Sequence, residues 1–370
     1  MTPDQFFYVL LGFAFALGAV VGSFLNVVIY RVPAGLSVVA PGSQCPVCKT
    51  PIRWYDNIPI ISYFLLRGRC RHCKTSYSPR YALVEAFMGL LSAGLFIKVA
   101  KPHFDRIGAI PQIGELPPVT DLTALPWVSL AVIFGLYFLF LALLVVITFV
   151  DLDHYLIPHE FTIPGMILGV IAALVFDFAP FMEVGSLAAF FPPVTLSMSV
   201  IGLLSGGLAV VAIFYLYFAL RGIEGVGGGD VTLMAVVGAW LGWPALFFIF
   251  FAASLQGIIA AAIGALAGAA FLKDSREILG EEDPREVAKR AREANENSDD
   301  LKSSKSSKEE VSDEVDTPSE SNAVDAPEEI GGGLAVPFGP FISLAAVQYF
   351  FFGEFLPPSM TMSYFYYGFY

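Results

Sequence analysis

The sequence predicts an all-α polytopic membrane protein with about eight transmembrane helices and a small cytoplasmic, zinc-ribbon-like module of four cysteines. Of its 370 residues, 56% are hydrophobic and only 15% are charged, which is typical of a protein that spans a membrane several times. The apolar residues fall into long runs separated by polar loops. All four cysteines lie between Cys45 and Cys73, within one polar stretch. These observations argue against a soluble globular fold.

Each apolar run predicts a membrane-spanning helix or part of one. The runs cover residues 6–30, 81–99, 127–150, 162–178, 196–220, 231–241, 245–271 and 334–352. The stretch 231–271 is too long for one helix, and Gly242-Trp243-Pro244 should break it because proline cannot continue the helical hydrogen-bond ladder. Its first piece is about 16 Å long, roughly half of a hydrocarbon core. We expect this piece to begin below the membrane surface and to end at Trp240 and Trp243, which suit the interface.

The distribution of basic residues predicts the orientation. Residues 31–80 contain eight Lys or Arg and a single acid, Asp56. The positive-inside rule therefore places this region in the cytoplasm and the N-terminus outside. Asp4 and the lack of a basic stretch before the first apolar run favour a retained helix over a cleaved signal peptide. By the parity of the spans, Asp151 and Asp230 lie on the cytoplasmic side.

The net charge of −12 belongs mainly to one segment. Between Lys273 and Ile330 there are nine Lys or Arg and nineteen Asp or Glu, and few large apolar residues. Such a composition cannot bury a core, so we expect a disordered cytoplasmic loop. The rest of the chain is close to neutral, and we expect membrane lipid but no nucleic acid among its partners.

The cysteines form two CxxC pairs, Cys45/Cys48 and Cys70/Cys73. Four thiolates at this spacing favour a tetrahedral structural zinc site. A redox pair or unliganded cysteines are the alternatives, and a reducing cytoplasm disfavours disulfides. A closed site of four cysteines leaves no open metal position, so the zinc should stabilise the module rather than catalyse. His72 is then a bystander.

Asp151 and Asp230 form a second candidate functional site. Each lies where a predicted helix meets a cytoplasmic loop, and Gly227-Gly228-Gly229 precede Asp230. Two adjacent carboxylates in a low-dielectric cleft cannot both ionise cheaply, so one keeps a proton. The ionised acid can then activate water while the protonated acid polarises a carbonyl, as in aspartic proteases. A carboxylate-based transporter and a simple helix cap at Asp230 are alternatives, and spacing alone does not separate Asp151 from Asp153.

Several motifs together resemble the type IV prepilin leader peptidase/N-methyltransferase family. They are Gly22-Ser23-Phe24-Leu25-Asn26 with Arg31-Val32-Pro33, the cysteine pairs with Ile52-Arg53-Trp54-Tyr55-Asp56-Asn57-Ile58-Pro59, Val84-Glu85, Gly229-Asp230, and Val336-Pro337-Phe338-Gly339-Pro340-Phe341. The family's first catalytic aspartate precedes an Ile/Leu-Pro pair by six residues, which corresponds to Asp151 ahead of Ile157-Pro158. The second corresponds to Asp230.

The resemblance implies a membrane-embedded aspartic endopeptidase of the bacterial inner membrane. It would cleave prepilins or pseudopilins after a glycine, between a basic leader and an apolar helix. S-adenosylmethionine would then methylate the new N-terminus; a peptidase without methyltransferase activity is the alternative. The chain departs from the family at Thr232, where a lysine is common, and in its long acidic insertion.

The predicted domain organisation follows from these features. It comprises a first transmembrane helix (1–30), the cytoplasmic four-cysteine zinc domain (31–80), the membrane-embedded peptidase core (81–272), the acidic loop (273–332), and the last transmembrane helix with its tail (333–370).

Overall fold

The computed structural model describes residues 2–107, 122–178, 194–221, 227–266 and 337–357. The predicted acidic loop at 273–332 and the tail after residue 357 lie outside the described residues. The chain divides into two units, one formed by Met1–Ala260 with Val336–Tyr370 and the other by Ala261–Ala335. Of the second unit only residues 261–266 are described, and they end a helix. The fold described below is that of the first unit.

Helices make up almost all of the regular structure in the described residues, which confirms the all-α prediction. The α-helices are α1 (Pro3–Arg31), α2 (Ile61–Leu66), α3 (Arg80–Phe104), α4 (Trp127–His154), α5 (His159–Phe178), α6 (Leu196–Arg221), α7 (Gly228–Leu241), α8 (Trp243–Leu266) and α9 (Gly339–Phe352). Six of them, namely α1, α3, α4, α5, α6 and α8, are long and apolar enough to cross a membrane. The helices α7 and α9 have 14 residues each, about 21 Å, which is shorter than a hydrocarbon core. The predicted count of about eight spans is therefore not confirmed.

Helix α4 is the centre of the bundle. It has a mean hydropathy of 3.0, and 61% of its most apolar stretch is buried. It also extends further than expected, since the sequence predicted an end at Val150. The N–H of Tyr155 donates to the carbonyl of Asp151, and Tyr155 adopts a left-handed conformation with φ of 54°. Helix α4 is therefore about one turn longer than predicted, and Asp151 lies inside it.

The predicted break between α7 and α8 is present at Gly242. This residue has φ of 77°, a region that favours glycine, and its N–H donates to Gly238. Trp240, which we expected at the membrane interface, is instead 2% exposed. Its indole N–H donates to the Gly165 carbonyl at 2.8 Å, and its ring stacks on Phe140. Because the ring is buried and its N–H is bonded inside the protein, the interfacial interpretation was wrong for Trp240.

Glycines allow α6 and α7 to pack backbone against backbone. A Cβ added to Gly238 would overlap the Gly202 carbonyl, and one added to Gly206 would overlap the Met234 carbonyl. Gly202 and Gly206 form a GxxxG pair, a spacing that lets membrane helices approach closely. This contact fixes the position of α7, which carries Asp230 in its first turn.

We expect Gly238→Ala to lower the stability of the protein by about 1–3 kcal/mol or more, the range for overpacking a tight interface. Thermal unfolding of the purified chain in detergent measures this as a lower midpoint. Gly135→Ala is the matched control, because Gly135 is also helical and nothing lies within 4 Å of an added Cβ. Equal midpoints for both variants would contradict the close α6–α7 packing.

Candidate active site and metal centre

Asp151 lies in the last turn of α4 and is 5% exposed. The backbone N–H of Gly339, the first residue of α9, donates a hydrogen bond to its carboxylate. The two residues touch so closely that a Cβ on Gly339 would lie 2.5 Å from Oδ2 of Asp151. A backbone donor from a distant helix therefore holds this carboxylate in place.

Asp230 lies in the first turn of α7, three residues after the N-cap Gly227. Its side chain is partly buried and accepts a hydrogen bond from the backbone of Gly227. An acid at this position is favoured by the positive end of the helix dipole. Thr232, at the position where the family often has lysine, donates its hydroxyl to the Gly229 carbonyl at 2.8 Å. This hydrogen bond lies within the first turn of α7, and Thr232 brings no charge to the site.

Ile157 links the two acidic residues. It follows α4 by three residues and is 4% exposed. A Cβ on Gly229 would lie 2.7 Å from Cβ of Ile157, and a Cβ on Gly339 would lie 3.0 Å from its Cδ1. Gly229, which precedes Asp230, and Gly339, which contacts Asp151, thus both pack closely against the Ile157 side chain.

Asp151 and Asp230 are neighbours through Ile157, which Gly229 and Gly339 both contact. They come from different helices, α4 and α7, and α9 supplies the hydrogen bond to one of them. Two interacting carboxylates in a largely buried setting favour a state in which they share one proton. This arrangement has the chemical groups for general acid and general base catalysis.

Asp153 has a different environment, although it is only two residues from Asp151. It forms an ion pair with Arg80, the first residue of α3. The Arg80 guanidinium also lies over the ring of Phe149, 5.2 Å from its centroid. Asp153 therefore joins α4 to α3 through a charge pair, and spacing in the sequence gave no sign of this partner.

Two polar residues from the sequence motifs connect α1, α3 and the cysteine module. The Asn26 side-chain amide donates to the carbonyls of Gly22 at 3.2 Å and Tyr81 at 3.1 Å. The Glu85 carboxylate accepts from the N–H of Ile60 at 2.7 Å. Asn26 thus joins α1 to the start of α3, and Glu85 fixes the module to the first turns of α3. The sequence did not indicate these roles.

The four cysteine sulfurs form one cluster, with all Sγ atoms within 4.8 Å of one another. The Sγ atoms of Cys45 and Cys73 are 3.7 Å apart, and those of Cys48 and Cys70 are 3.9 Å apart. None is in a disulfide. Among the described residues this is the one group of His, Cys, Asp or Glu side chains arranged to hold a metal ion, and His72 is outside it.

The two halves of the cluster repeat the same local structure. In each half the first cysteine exchanges backbone hydrogen bonds with the segment five residues on, and the lysine after the second cysteine has positive φ. The sequence Cys-x-x-Cys-Lys-Thr, which starts at Cys45 and again at Cys70, carries this repeat. The repeated Lys-Thr pair is visible in the sequence and could have predicted this repeat, which the cysteine spacing alone does not.

The threonines of this repeat contact the second cysteine of each pair. The Thr50 hydroxyl lies 3.3 Å from Sγ of Cys48, and the Thr75 hydroxyl lies 3.3 Å from Sγ of Cys73. The hydrogen bond between Cys48 and Thr50 lowers the pKa of Cys48, and the one between Cys73 and Thr75 lowers the pKa of Cys73 to about 6. Both contacts favour the thiolate, which is the form that binds metals.

An ion pair stiffens the module beside the cluster. The Arg71 guanidinium donates to both carboxylate oxygens of Asp56, at 2.7 and 2.6 Å. This bidentate pairing lowers the pKa of Asp56. The single acid of the predicted cytoplasmic region thus neutralises one of its basic residues.

Comparison with protein families gives two matches. Residues 16–99 match the model of the bacterial peptidase A24 N-terminal domain, and residues 138–262 match that of the type IV leader peptidase family. The four cysteines fall within the first matched range, and Asp151 and Asp230 fall within the second. No solved structure matches the chain.

Curated proteins named prepilin leader peptidase/N-methyltransferase are similar over most of the chain. The protein of Neisseria gonorrhoeae is 35% identical over 274 residues, which cover 68% of this chain and 80% of that protein. The protein of Burkholderia pseudomallei strain 1026b is 34% identical over 70% of this chain and 76% of its own length. The protein of Myxococcus xanthus is 34% identical over 67% of this chain, and the match spans 61% of that relative's length.

Proposed function

Because this chain belongs to the type IV leader peptidase family, we propose that it is a membrane-embedded aspartic endopeptidase that removes the leaders of prepilins or pseudopilins. The observation that carries the proposal is that Asp151 and Asp230 come from separate helices and are brought together around Ile157, against which Gly229 and Gly339 both pack. Their positions at the ends of α4 and α7 suit a scissile bond at the boundary of the membrane. By the resemblance of their motifs, these two residues would be the counterparts of the family's catalytic aspartates.

In the proposed mechanism the two carboxylates share one proton. The ionised carboxylate takes a proton from water, and the resulting hydroxide attacks the scissile carbonyl, which the protonated carboxyl polarises. The tetrahedral intermediate then breaks its C–N bond as the leaving amine receives a proton. The N–H of Gly339 orients the Asp151 carboxylate throughout. No covalent link between enzyme and substrate is needed.

We further propose that the protein methylates the new N-terminus, since its relatives are named N-methyltransferases. S-adenosylmethionine would supply the methyl group. The substrate would be a chain with a basic leader, a glycine before the cleaved bond and an apolar helix that lies in the lipid.

We place the enzyme in the bacterial inner membrane with its N-terminus outside and the cysteine module in the cytoplasm, because residues 31–80 are strongly basic. We also propose that the cysteine module comprises residues 31–80 and the membrane-embedded peptidase core residues 81–272.

We propose that the cysteine cluster holds one structural zinc ion. Tetrahedral ligands at the usual Zn–S distance of about 2.3 Å lie about 3.8 Å apart. The observed separations of 3.7 and 3.9 Å fit this value. A bound zinc ion would link the two CxxC halves and stabilise the module.

A cleavage assay tests the proposed function. The full chain in detergent is mixed with a synthetic prepilin segment that has a basic leader, a Gly-Phe junction and an apolar helix. We expect mass spectrometry to show loss of the leader and, after addition of S-adenosylmethionine, a gain of one methylene. Cleavage without methylation would assign the chain as a peptidase alone. An intact substrate would contradict the proposal.

Metal analysis tests the zinc site. We expect about one zinc ion per purified chain, and its loss in Cys70→Ser because three thiolates no longer close the tetrahedron. His72→Ala is the matched control, since this residue lies between two cysteines but outside the cluster, and it should keep its zinc. Native protein without zinc, with all four thiols titrating freely, would contradict the site.

A further inference from the structure

The short helix α2 of the cysteine module has an exposed apolar face. Ile61, Phe64 and Leu65 are 55%, 70% and 73% exposed. Their spacing of i, i+3 and i+4 places them on one side of the helix. Ser62, on the opposite side, is buried and donates its hydroxyl to the Tyr55 carbonyl. The module therefore packs one side of α2 and leaves three large apolar side chains on the other.

Helix α2 lies beside the first turns of α3. The N–H of Ile60, just before α2, donates to Glu85 at 2.7 Å. Glu85 lies five residues into α3, about 7.5 Å along the helix axis from Arg80. The headgroup layer of a bilayer is roughly 5–7 Å thick on each side. Because α3 is one of the helices apolar enough to span a membrane, this hydrogen bond ties the start of α2 to the first turns of a predicted membrane-spanning helix.

A concave basic surface continues from the end of α2. It encloses about 430 Å³, and Leu65, Arg67, Arg69 and Lys74 are among the residues that line it. The three basic side chains are exposed. Among the described residues, these three side chains form no hydrogen bond or ion pair, whereas the neighbouring Arg71 is paired with Asp56. Three positive charges therefore lie beside the apolar face, and no acidic side chain within the described ranges neutralises them.

We propose that the cysteine module docks onto the bilayer that the helices span. Ile61, Phe64 and Leu65 enter the boundary between headgroups and acyl chains, and Arg67, Arg69 and Lys74 bind the phosphates of anionic phospholipids. A short helix with apolar residues next to a cluster of cations is suited to this boundary. Anionic lipids attract basic segments near the membrane surface. The proposal needs only the bilayer and does not depend on the peptidase activity.

The charge of this surface disfavours the other ligands of the proposed function. A basic leader peptide would be repelled by three unpaired cations. S-adenosylmethionine carries a sulfonium and an ammonium group against one carboxylate, so its net positive charge also disfavours binding beside three cations. An anionic lipid headgroup satisfies the cations, and its acyl chains cover the apolar face, so a single occupant accounts for both features.

Photocrosslinking in vesicles tests the contact. The full chain with Phe64→p-benzoylphenylalanine is reconstituted in equal parts of phosphatidylcholine and phosphatidylglycerol and then irradiated. We expect an adduct with the mass of one phospholipid. The matched control is Tyr63→p-benzoylphenylalanine, because the Tyr63 ring packs on Tyr77 inside the module, and it should give far less lipid adduct. A crosslink from position 64 to a second copy of the chain, or equal lipid adducts at both positions, would overturn the proposal.

Hydrogen exchange of the unlabelled chain tests the basic surface and does not depend on the photoreactive variants folding. We expect residues 61–74 to exchange more slowly in vesicles with phosphatidylglycerol than in phosphatidylcholine alone. Arg69→Glu should reduce this difference by at least about fivefold, as expected for one cation at an anionic surface. Lys49→Glu, a reversal next to a cysteine of the other half, should keep it. Equal exchange in both lipids, or equal effects of both reversals, would overturn the proposal.

Discussion

We expect Asp151→Asn and Asp230→Asn each to lower the rate of leader cleavage by at least about a thousandfold, within the range for loss of a general acid or base. An amide has nearly the shape of the carboxylic acid but neither accepts the proton of water nor donates one to the substrate. Both variants should stay folded, because removing one of two interacting acids relieves repulsion in a largely buried site. Cleavage of the synthetic prepilin segment, followed by mass spectrometry, measures the loss.

Asp153→Asn is the control for this prediction. The residue lies on the same turn of α4 as Asp151 but pairs with Arg80, so we expect a modest loss of stability and substantial remaining cleavage. Methylation of a substrate that has already been cleaved should persist in Asp151→Asn if the two activities use different residues. Full cleavage by Asp151→Asn, or equal losses in Asp151→Asn and Asp153→Asn, would refute the assignment of the acidic pair.

Local signals in the sequence predicted much of the fold. The apolar runs gave the long helices, because a membrane requires about twenty apolar residues for each crossing. Gly242-Trp243-Pro244 gave the break between α7 and α8, which depends on backbone properties of those residues alone. The clustering of the four sulfurs was likewise predictable, because two CxxC pairs at this spacing are typical of one shared metal site, although the contacts between the pairs are long-range.

Contacts between distant segments were not predictable in the same way. Gly339 reaches the Asp151 carboxylate from beyond the acidic segment, and nothing in its own neighbourhood indicates a donor to that acid. The partner of Asp153 was hidden for the same reason, because Arg80 lies 73 residues earlier in the chain. Trp240 was misplaced because its position near a helix end suggested the interface, whereas the space beside Gly165 and Gly169 admits its ring.

We expect Gly339→Ala to reduce leader cleavage by about a hundredfold or more while the chain stays folded. The added Cβ would lie 2.5 Å from Oδ2 of Asp151 and 3.3 Å from its Cγ, closer than these atoms can approach. Either the carboxylate rotates away or α9 moves and weakens the hydrogen bond from its first N–H. A displacement of about 1 Å at a catalytic group costs roughly this much in rate. The loss should appear in kcat with little change in KM, because the substrate still binds.

Gly257→Ala separates this effect from a general disturbance of α9. Gly257 lies on α8 and faces the first turn of α9, where an added Cβ would make ordinary contacts, 3.7 Å from Phe341 and 3.9 Å from Phe338. We therefore expect nearly full cleavage by Gly257→Ala and equal zinc content in both variants, since the cysteine module is remote in the chain from either glycine. Nearly full cleavage by Gly339→Ala would show that the Asp151 carboxylate tolerates displacement, and the N–H of Gly339 would then have no part in orienting it. Because a methyl group at Gly339 removes no acid, a selective loss of kcat in this variant would tie the rate to the position of the Asp151 carboxylate as well as to its presence.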